Sequence, residues 1–302
     1  MFNKTFLINK IVNSLLSNKY QVLVSQGAFD IAAKREELML VKSMLNADSL
    51  NEEQALSLRS ISYFLSAHPV VVSVKTNRIF LDDEIVYSRF ELPLVTPTLF
   101  ENLLGQDEVI TMSASKGKHT LDIDADALRE RRKQFGFTLE ELAKLIGISK
   151  KALYEIEKKR VNPSEDTVRK LETKLKVELA KPFELPSVNQ PTYLKPKNEF
   201  QHKVSDEIKR IGIDNSSVYS APFEIVGKEK FSIITTLSKN STKIKKEAGM
   251  VKKISRMFLT KAMFVAKSSK EKNIQGVPVL LESQLPKIES TKELNEIIED
   301  RE

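Results

Sequence analysis

Hydrogen-bond donors are concentrated at the start of a short amphipathic segment near the middle of the chain. Ser149 has the side chain of a helix N-cap, and Lys150, Lys151 and Tyr154 follow it within little more than one turn. Ammonium and phenol groups near the N-terminal end of a helix can donate to DNA base edges and phosphates. The candidate DNA contacts of this region are Thr138, Ser149, Lys150, Lys151, Tyr154, Lys158, Lys159 and Arg160.

Two short helices that cross sharply are needed to present these donors. The apolar residues that could share one small core across this crossing are Leu142, Ala143, Leu145, Ile146, Ile148, Leu153 and Ile156. Gly147 permits a corner between the helices. Thr138 is predicted to cap the first helix, where Glu140 and Glu141 complement the helix dipole.

This stretch resembles the Cro-type (phage-repressor) helix-turn-helix family from Leu128 to Val177. The resemblance rests on the order of a helix, a glycine, Thr-x-x-x-Leu-Ala, Ile-Gly-Ile-Ser, Ile-Glu and Asn-Pro-Ser. It implies that the helix from Ser149 enters the major groove of double-stranded DNA. Leu139 stands where many members have a glutamine that touches DNA, so fewer contacts are expected there. A helix-turn-helix used only for protein contact is the alternative, which the lysines of the reading helix disfavour.

Composition limits the remaining classes of function. With 302 residues, 41% of them hydrophobic, the chain can form two or three domains. It has no cysteine, and its histidines are His68, His119 and His202, so no metal site or cofactor is expected. We expect a cytoplasmic, nucleoid-associated protein with no membrane partner, because no long apolar run and no signal-peptide pattern is present.

The net charge of +7 is unevenly distributed. Residues 1–121 carry 12 basic and 13 acidic side chains, whereas residues 122–182 carry 15 and 12. Residues 186–302 carry 21 basic and 15 acidic side chains. The positive excess therefore lies in the middle and last thirds, as expected if these parts meet a polyanion. Solvated lysines remain the alternative for the last third.

Two segments are predicted to be linkers. Ser113–Lys118 is short, small and basic, and Pro186–Pro196 is rich in proline and should be extended. They divide the chain into residues 1–112, 119–184 and 199–302. The predicted fold class is α/β plus all-α, with a central Cro-type helical domain between two small α/β domains.

The first and last segments are predicted to have the same order of helices and strands. In the first segment, helices are predicted at about 7–16, 51–67 and 97–104, and strands at 21–25, 29–34, 38–42, 69–74 and 85–87. Phe223–Lys228 parallels Phe29–Lys34, and the stretch from Phe231 parallels that from Leu38. A constant offset of 193 pairs later apolar blocks, so the last segment is interpreted as a degenerate repeat of the first.

Asp30 and Lys42 resemble part of the active site of the restriction-endonuclease-like superfamily. In that superfamily two carboxylates bind magnesium and a lysine steadies the attacking water. Leu40 occupies the second carboxylate position, and Glu36 lies about 13 Å away along an extended strand. We therefore expect a noncatalytic remnant without metal, in which Asp30 and Lys42 form an ion pair at a strand end, worth about 0–1 kcal/mol if it is exposed.

The corresponding positions of the last segment are further from catalysis. Glu224 matches Asp30, but Ile233 or Ile234 and Thr235 or Thr236 fall where the second carboxylate and the lysine should be. Both flanking domains are thus expected to be nuclease-like and noncatalytic.

Two other features have open alternatives. His68 follows the predicted second helix and is expected to cap its C-terminus. Four basic residues of the last segment fall near one helical face: Lys245, Lys252, Lys253 and Arg256. They either contact phosphate or remain solvated.

Taken along its length, the chain resembles an archaeal family of helix-turn-helix transcriptional regulatory proteins. That resemblance implies sequence-specific binding of double-stranded DNA and control of transcription by a nonenzymatic protein. A homodimer on a palindrome is expected, because one reading helix contacts only a short site. The alternatives are a metal-dependent nuclease targeted by the helix-turn-helix, and a general nucleoid or repair DNA-binding protein.

Overall fold

The computed structural model describes residues 3–105, 112–115, 118–238 and 241–302. The chain divides into two compact units. Unit 1 comprises Met1–Asn77 together with Leu185–Glu302, and unit 2 comprises Arg78–Glu184. Within the described ranges, no helix is long and apolar enough to cross a membrane.

The N-terminal part of unit 1 combines a meander of strands with a parallel crossover. Its elements are α1 (Lys4–Ser17), β1 (Gln21–Val24), β2 (Ile31–Lys34), β3 (Leu38–Asn46), α2 (Glu52–Leu65) and β4 (Ala67–Lys75). Strands β1, β2 and β3 pair antiparallel, and β3 pairs parallel with β4 after the crossover through α2. The runs of apolar residues in β3 and β4 are almost wholly buried, as expected for strands covered on both faces.

The boundaries of α2 correct one sequence-based expectation. The helix begins at a capping box formed by Asn51 and Gln54. It ends at Ser66, which has a left-handed conformation with φ of 51°. Strand β4 begins at the next residue, so His68 lies in a strand and does not cap the helix. The prediction for His68 was wrong because Ser66 already reverses the chain.

Unit 2 contains a small group of strands and a helical bundle. Its elements are β5 (Ile85–Arg89), β6 (Leu92–Val95), α3 (Pro97–Leu104), β7 (Met112–Ser115), β8 (Lys118–Thr120), α4 (Ala125–Gln134), α5 (Leu139–Ile146), α6 (Lys150–Glu157) and α7 (Glu165–Leu175). Strand β5 pairs antiparallel with β6 and parallel with β7.

The predicted linker at Ser113–Lys118 is wrong for the residues that the structure describes. Ser113, Ala114 and Ser115 pair antiparallel with Thr120, His119 and Lys118 in the β7–β8 ladder. Residues 116 and 117 lie outside the described residues. Small residues resemble a linker in sequence, but each has a backbone donor and acceptor that can join a strand ladder.

One core holds the helices α4 to α7 together. Its buried members on these four helices are Leu128, Leu142, Ala143, Ile146, Leu153, Ile156, Val168, Leu171 and Leu175. Ile148 is partly buried against this core. Leu145, which was predicted to belong to the core, is 49% exposed. On α5 it lies about 100° from the centre of the face formed by Leu142, Ala143 and Ile146.

The C-terminal part of unit 1 has an order of elements similar to the N-terminal part. Its elements are α8 (Glu199–Arg210), β9 (Asp214–Ser217), β10 (Ile225–Lys228), β11 (Ser232–Ser238), α9 (Ser241–Phe258), β12 (Lys261–Ala266), β13 (Asn273–Ile274), β14 (Val277–Leu281) and α10 (Thr291–Arg301). Strands β9, β10 and β11 pair antiparallel, and β11, β12 and β14 pair parallel.

The strand registers of the two parts of unit 1 correspond closely. Ile31 pairs with Val41, and Ile225 pairs with Thr235, so these hairpins differ by 194 in residue number. Val41 then pairs with Val70, and Thr235 with Met263, which reduces the difference to 193. By this register Ser232, and not Phe231, corresponds to Leu38, because Lys34 pairs with Leu38 and Lys228 with Ser232.

Helix α2 packs against the C-terminal part of unit 1. The backbone amide of Tyr219 donates to Ser57 Oγ at 3.1 Å. The Ser232 hydroxyl donates to the carbonyl of Phe64 at 2.8 Å, and Lys228 Nζ donates to Ser66 Oγ at 2.7 Å. The two ends of the chain therefore form one packed body.

The proline-spaced segment 186–196 has neither helix nor strand, but it is anchored to unit 1. Tyr193 packs edge-on against Phe64, with ring centroids 6.2 Å apart. Its hydroxyl donates to Asp214 Oδ2 at 2.6 Å, and this hydrogen bond raises the pKa of Tyr193 to about 12.

Candidate DNA interface and nuclease-like centre

Local hydrogen bonds fix the corner between α5 and α6. The Glu141 amide donates to Thr138 Oγ1 at 3.2 Å, and the Thr138 amide donates to Glu141 Oε2 at 2.8 Å. The hydrogen bonds from Thr138 lower the pKa of the Glu141 carboxyl. Gly147 ends α5 with φ of 77°, a left-handed conformation that glycine adopts readily. The turn can therefore direct the chain into α6 without strain.

Ser149 caps α6 and so defines which residues stand at its N-terminal end. Its Oγ accepts a hydrogen bond from the Ala152 amide at 3.0 Å. Lys150 and Lys151 occupy the first turn and are exposed, and Tyr154 is 39% exposed. The helix N-terminus adds a partial positive charge to these donors. An anionic, hydrogen-bonding surface such as a DNA groove is the chemical complement of this helix end.

The eight candidate contacts are all exposed, and several have local partners. Lys150 Nζ lies 3.3 Å from Glu140 Oε2, and Arg160 Nη1 lies 3.4 Å from Glu155 Oε2. Lys158 Nζ lies 5.8 Å from the centroid of the Tyr154 ring, within the range of a cation–π contact. The side chains are thus held near α6 while they remain accessible to a ligand.

Lys159 has the best-defined partner of the group. Its ammonium donates to Asp126 Oδ2 at 2.7 Å, in the first turn of α4. This hydrogen bond raises the pKa of Lys159 and lowers the pKa of Asp126. The backbone of Lys159 is left-handed, with φ of 57°, so the residue also forms the turn that ends α6.

A buried ion pair that sequence reasoning missed fixes α6 to α4. Arg132 Nε donates to Glu157 Oε1 at 2.6 Å, and Nη2 donates to Oε2 at 3.0 Å. Arg132 Nη1 also donates to the carbonyl of Phe137 at 2.8 Å. The hydrogen bonds to Glu157 raise the pKa of the Arg132 guanidinium. The Ile-Glu step of the helix-turn-helix pattern marked Glu157 in the sequence. It did not identify Arg132 as the partner of Glu157, because Arg132 lies in another helix.

The nuclease-like centre of the N-terminal part contains one buried carboxylate with a full set of donors. Asp30 Oδ2 accepts from the Ser43 amide at 2.9 Å and from its hydroxyl at 3.2 Å. Asp30 Oδ1 accepts from Lys4 Nζ at 2.9 Å. Lys42 Nζ lies 3.5 Å from Asp30 Oδ2 and donates to the carbonyl of Gly27. The oxygens that would bind a metal are therefore already occupied.

Asp30 and Lys42 form an ion pair, as expected from the sequence, and both side chains are buried. Asp30 is 2% exposed, Lys42 is 4% exposed, and burial lowers the pKa of Lys42. Leu40, at the second carboxylate position, is fully buried. Both side chains are buried because β3 is covered on both faces, so the small energy of an exposed pair does not apply to them. Asp30 has no second carboxylate beside it among the described residues, and its oxygens accept hydrogen bonds from Ser43 and Lys4, so these residues do not fit a magnesium ion.

The C-terminal part of unit 1 lies directly on the loop that precedes Asp30. The Ala28 amide donates to the carbonyl of Ser220. Gly27 has φ of 121°, and a Cβ added there would lie 1.6 Å from the Ser220 carbonyl oxygen. Only a glycine allows this approach of two backbones. Phe29 packs near Phe258, with ring centroids 6.1 Å apart.

The equivalent centre of the C-terminal part has kept the carboxylate but not the lysine. Glu224 Oε2 accepts from the Leu237 amide at 2.7 Å, the same relation that Asp30 has to Ser43. The strand register assigns Ile234 and Thr236 to the positions of Leu40 and Lys42. Among the described residues, no group of three or more histidine, aspartate and glutamate side chains could hold a metal ion.

The basic face of α9 is only partly free. Lys245 Nζ lies 2.8 Å from Glu271 Oε1, and Lys252 Nζ donates to the carbonyl of Gly276. Lys253 and Arg256 are exposed.

Comparison with protein families identifies two domains in the chain. Residues 4–110 match a model described as a PD-(D/E)XK superfamily domain, and residues 128–181 match one described as Helix-turn-helix. The predicted combination of nuclease-like α/β structure with a helix-turn-helix is thereby confirmed. The three-segment division of the chain stays a prediction.

Several similar archaeal proteins match along nearly the whole chain. A protein of Pyrococcus furiosus named "Putative HTH-type transcriptional regulatory protein" is 30% identical, covering 98% of this chain and 96% of its own length. Proteins of the same type from Methanothermobacter thermautotrophicus and Methanocaldococcus jannaschii are each 28% identical. These cover 98% and 99% of this chain, and 96% and 97% of their own lengths. No solved structure matches the chain.

Proposed function

Since the chain belongs to this archaeal family of HTH-type transcriptional regulatory proteins, we propose that it is a sequence-specific, double-stranded DNA-binding transcriptional regulator. The observation that carries the proposal is the exposed N-terminal end of α6, which Ser149 caps and from which Lys150, Lys151 and Tyr154 project. In proteins with this motif, the first turn of the second helix touches base edges in the major groove.

The residues of this surface divide into two roles. Lys150, Lys151 and Tyr154 read base edges, and the lysines favour guanine O6 and N7 as acceptors. Thr138 and Ser149 stand at the two helix starts, where backbone amides and hydroxyls can hold phosphates. The cations at the end of α6 that bind phosphates are Lys158, Lys159 and Arg160. Lys150 and Lys159 each form an ion pair with an exposed carboxylate. Because exposed ion pairs are weak in water, each lysine can exchange its carboxylate for DNA.

The regulator acts as a homodimer in this proposal. One reading helix covers only a few base pairs, so two copies on a palindrome, with half-sites about 34 Å apart, provide useful specificity. Unit 1 provides a large scaffold for such an assembly. Its nuclease-like centres are structural, because Asp30 is buried and has all of its donors within the protein. Its proposed location is the cytoplasm, on the nucleoid.

Selection of duplexes from a random pool, at physiological salt with magnesium present, tests this function. Sequence enrichment and strand integrity are read from the same samples. We expect an enriched palindrome on intact DNA, and a Lys150→Ala, Lys151→Ala variant that retains binding but loses the enrichment. Enrichment that survives in this variant contradicts the role of α6. Cleavage that depends on magnesium and on Asp30 overturns the noncatalytic assignment.

A general DNA-binding protein is the second candidate function. It is favoured by the charge of residues 186–302, with 21 basic and 15 acidic side chains, and by the exposed Lys253 and Arg256 on α9. Such a protein shows no enriched sequence and a steep loss of affinity with salt. Replacement of Lys253 and Arg256 by glutamine reduces that salt dependence if α9 is the main contact, and leaves it unchanged if α6 is.

A further inference from the structure

A groove of about 370 Å³ lies between the end of α5 and one side of α7 in unit 2. Its basic lining residues are Lys144, Arg169, Lys170 and Lys174, and its apolar lining residues are Leu145 and Ile146. None of the eight candidate DNA contacts lines it. The groove is therefore a separate feature of the helical bundle.

The apolar part of the groove combines an accessible side chain with a buried one. Leu145 is 49% exposed, whereas Ile146 beside it is 3% exposed and belongs to the core. An isolated exposed leucine is ordinary on a protein surface. Here Leu145 lines a concave site, where an inserted apolar side chain can contact both residues. Such a site favours a ligand with a side chain that can be withdrawn from water.

The charge of the groove is not balanced locally. Lys170 Nζ lies 2.6 Å from Asp166 Oδ2. Among the described residues, Lys144, Arg169 and Lys174 have no carboxylate within ion-pair distance. The cations near α6 differ, because Lys150, Lys159 and Arg160 each have one. The lining contains no acidic residue, so the groove complements an anionic ligand.

We propose that this groove binds an acidic peptide segment of a partner protein. An apolar side chain of the peptide contacts Leu145 and Ile146, while its carboxylates pair with Lys144, Arg169 and Lys174. A DNA backbone would satisfy the cations but would leave Leu145 without an apolar partner. The combination of charge and apolar surface therefore selects a peptide over a phosphate chain.

Fluorescence anisotropy of a labelled synthetic peptide tests the proposal with the full-length protein. The peptide alternates glutamate with leucine and phenylalanine, and a second peptide alternates glutamate with glycine. We expect the first peptide to bind and the second to bind at least roughly tenfold more weakly, because its apolar contact is lost. Leu145→Ala should weaken binding of the first peptide by roughly tenfold, and Lys144→Glu with Arg169→Glu by at least as much.

Matched controls separate this site from general charge effects and from DNA binding. Lys253→Glu, on α9, should leave peptide binding unchanged. Far-UV circular dichroism checks that each variant is folded, and Lys174→Glu replaces the double variant if that one unfolds. Equal binding of both peptides, or equal binding by wild type and groove variants, overturns the proposal.

Two further outcomes also overturn it. If the double charge reversal weakens binding to every duplex while peptide binding is unaffected, the groove is a phosphate contact. If Leu145→Ala converts a dimer to a monomer and no peptide binds, the occupant is a second copy of this chain. If the groove binds a peptide as proposed, the Leu145→Ala variant should bind DNA duplexes with the affinity of the wild type.

Discussion

The nuclease-like centre and the candidate DNA interface contain similar side chains in opposite environments. At Asp30 and Lys42, a carboxylate and an ammonium lie buried, and the Asp30 oxygens accept hydrogen bonds from Ser43 and Lys4. At α6, Lys150 and Lys159 are exposed and have one exposed partner each. Residue type and spacing are thus insufficient to predict chemistry. Access of a ligand, which depends on burial, separates a structural ion network from a binding surface.

The buried ion pair of the helical domain extends this contrast. Arg132 and Glu157 fix α4 to α6, yet Glu157 directly precedes the exposed cations Lys158 and Lys159. A buried pair resists the removal of one partner, because the other charge is left without compensation. An exposed pair can exchange its partner for DNA. One helix therefore carries both a structural charge and candidate binding charges.

The largest expected effect comes from removing the buried carboxylate. Asp30→Ala should lower the free energy of unfolding by about 3–5 kcal/mol, because Lys42 remains buried without its counter-charge. Urea denaturation measures the change. Asp126→Ala, which removes an exposed carboxylate, should change stability little. A double variant, Asp30→Leu with Lys42→Met, should recover most of the loss. A fully stable Asp30→Ala protein would mean that the centre is not structural.

The next largest effect concerns base discrimination. Lys150→Ala should reduce the preference for the selected operator over single-base variants by about 1–3 kcal/mol at the base pair it contacts. Competition binding with a set of single-base operators measures this loss, and Lys133→Ala, an exposed lysine of α4, is the control. A uniform loss of affinity across all operators would reassign Lys150 to a phosphate.

Lys159 should show the opposite pattern. Lys159→Asn removes the charge but tolerates the left-handed backbone at this position. Affinity should fall equally for all duplexes, and the slope of log affinity against log salt should decrease by about one. Titrations at several salt concentrations provide the slope. An unchanged slope would show that Lys159 remains paired with Asp126 in the complex.

The smallest effect is a pH dependence in the capping box of α5. The pKa of Glu141 is lowered in the folded protein, so its contribution to stability is present above the ordinary glutamate pKa. That contribution is lost as the pH falls below the ordinary glutamate pKa of about 4.3 and through the lowered pKa of Glu141. Thermal melts of wild type and Glu141→Gln should therefore differ near neutral pH and converge in acid. A constant difference across this range would contradict the assignment.

Local features of the helix-turn-helix were predictable because neighbouring residues determine them. Thr138, Gly147 and Ser149 take the capping and turn roles that their side chains favour. The assignment of Leu145 to the core was wrong because it did not allow for the position of Leu145 around the axis of α5, away from the buried face. The helix and strand blocks of the N-terminal part were predictable for a similar reason, since α2 and β4 have clear apolar patterns.

Features that depend on distant parts of the chain could not be predicted in this way. The burial of Asp30 depends on coverage of β3 and on packing that local spacing does not encode. Arg132 and Glu157 each resemble a solvated charge until α4 and α6 are brought together. The hairpin of β7 and β8 escaped prediction because serine and alanine carry no strand pattern. Each of these outcomes is decided by tertiary contacts.

The contact of Ser220 with Gly27 has a consequence for synthesis of the protein. Residues 1–77 leave the ribosome before unit 2, but Tyr219, Ser220 and Ser232, which pack against them, emerge only after unit 2. Unit 2 is continuous in sequence and can form its core as soon as residue 184 has emerged. Until Tyr219 and Ser232 have emerged, one face of α2 in the nascent N-terminal part remains uncovered. Partly folded chains with uncovered surface are prone to aggregation and bind chaperones.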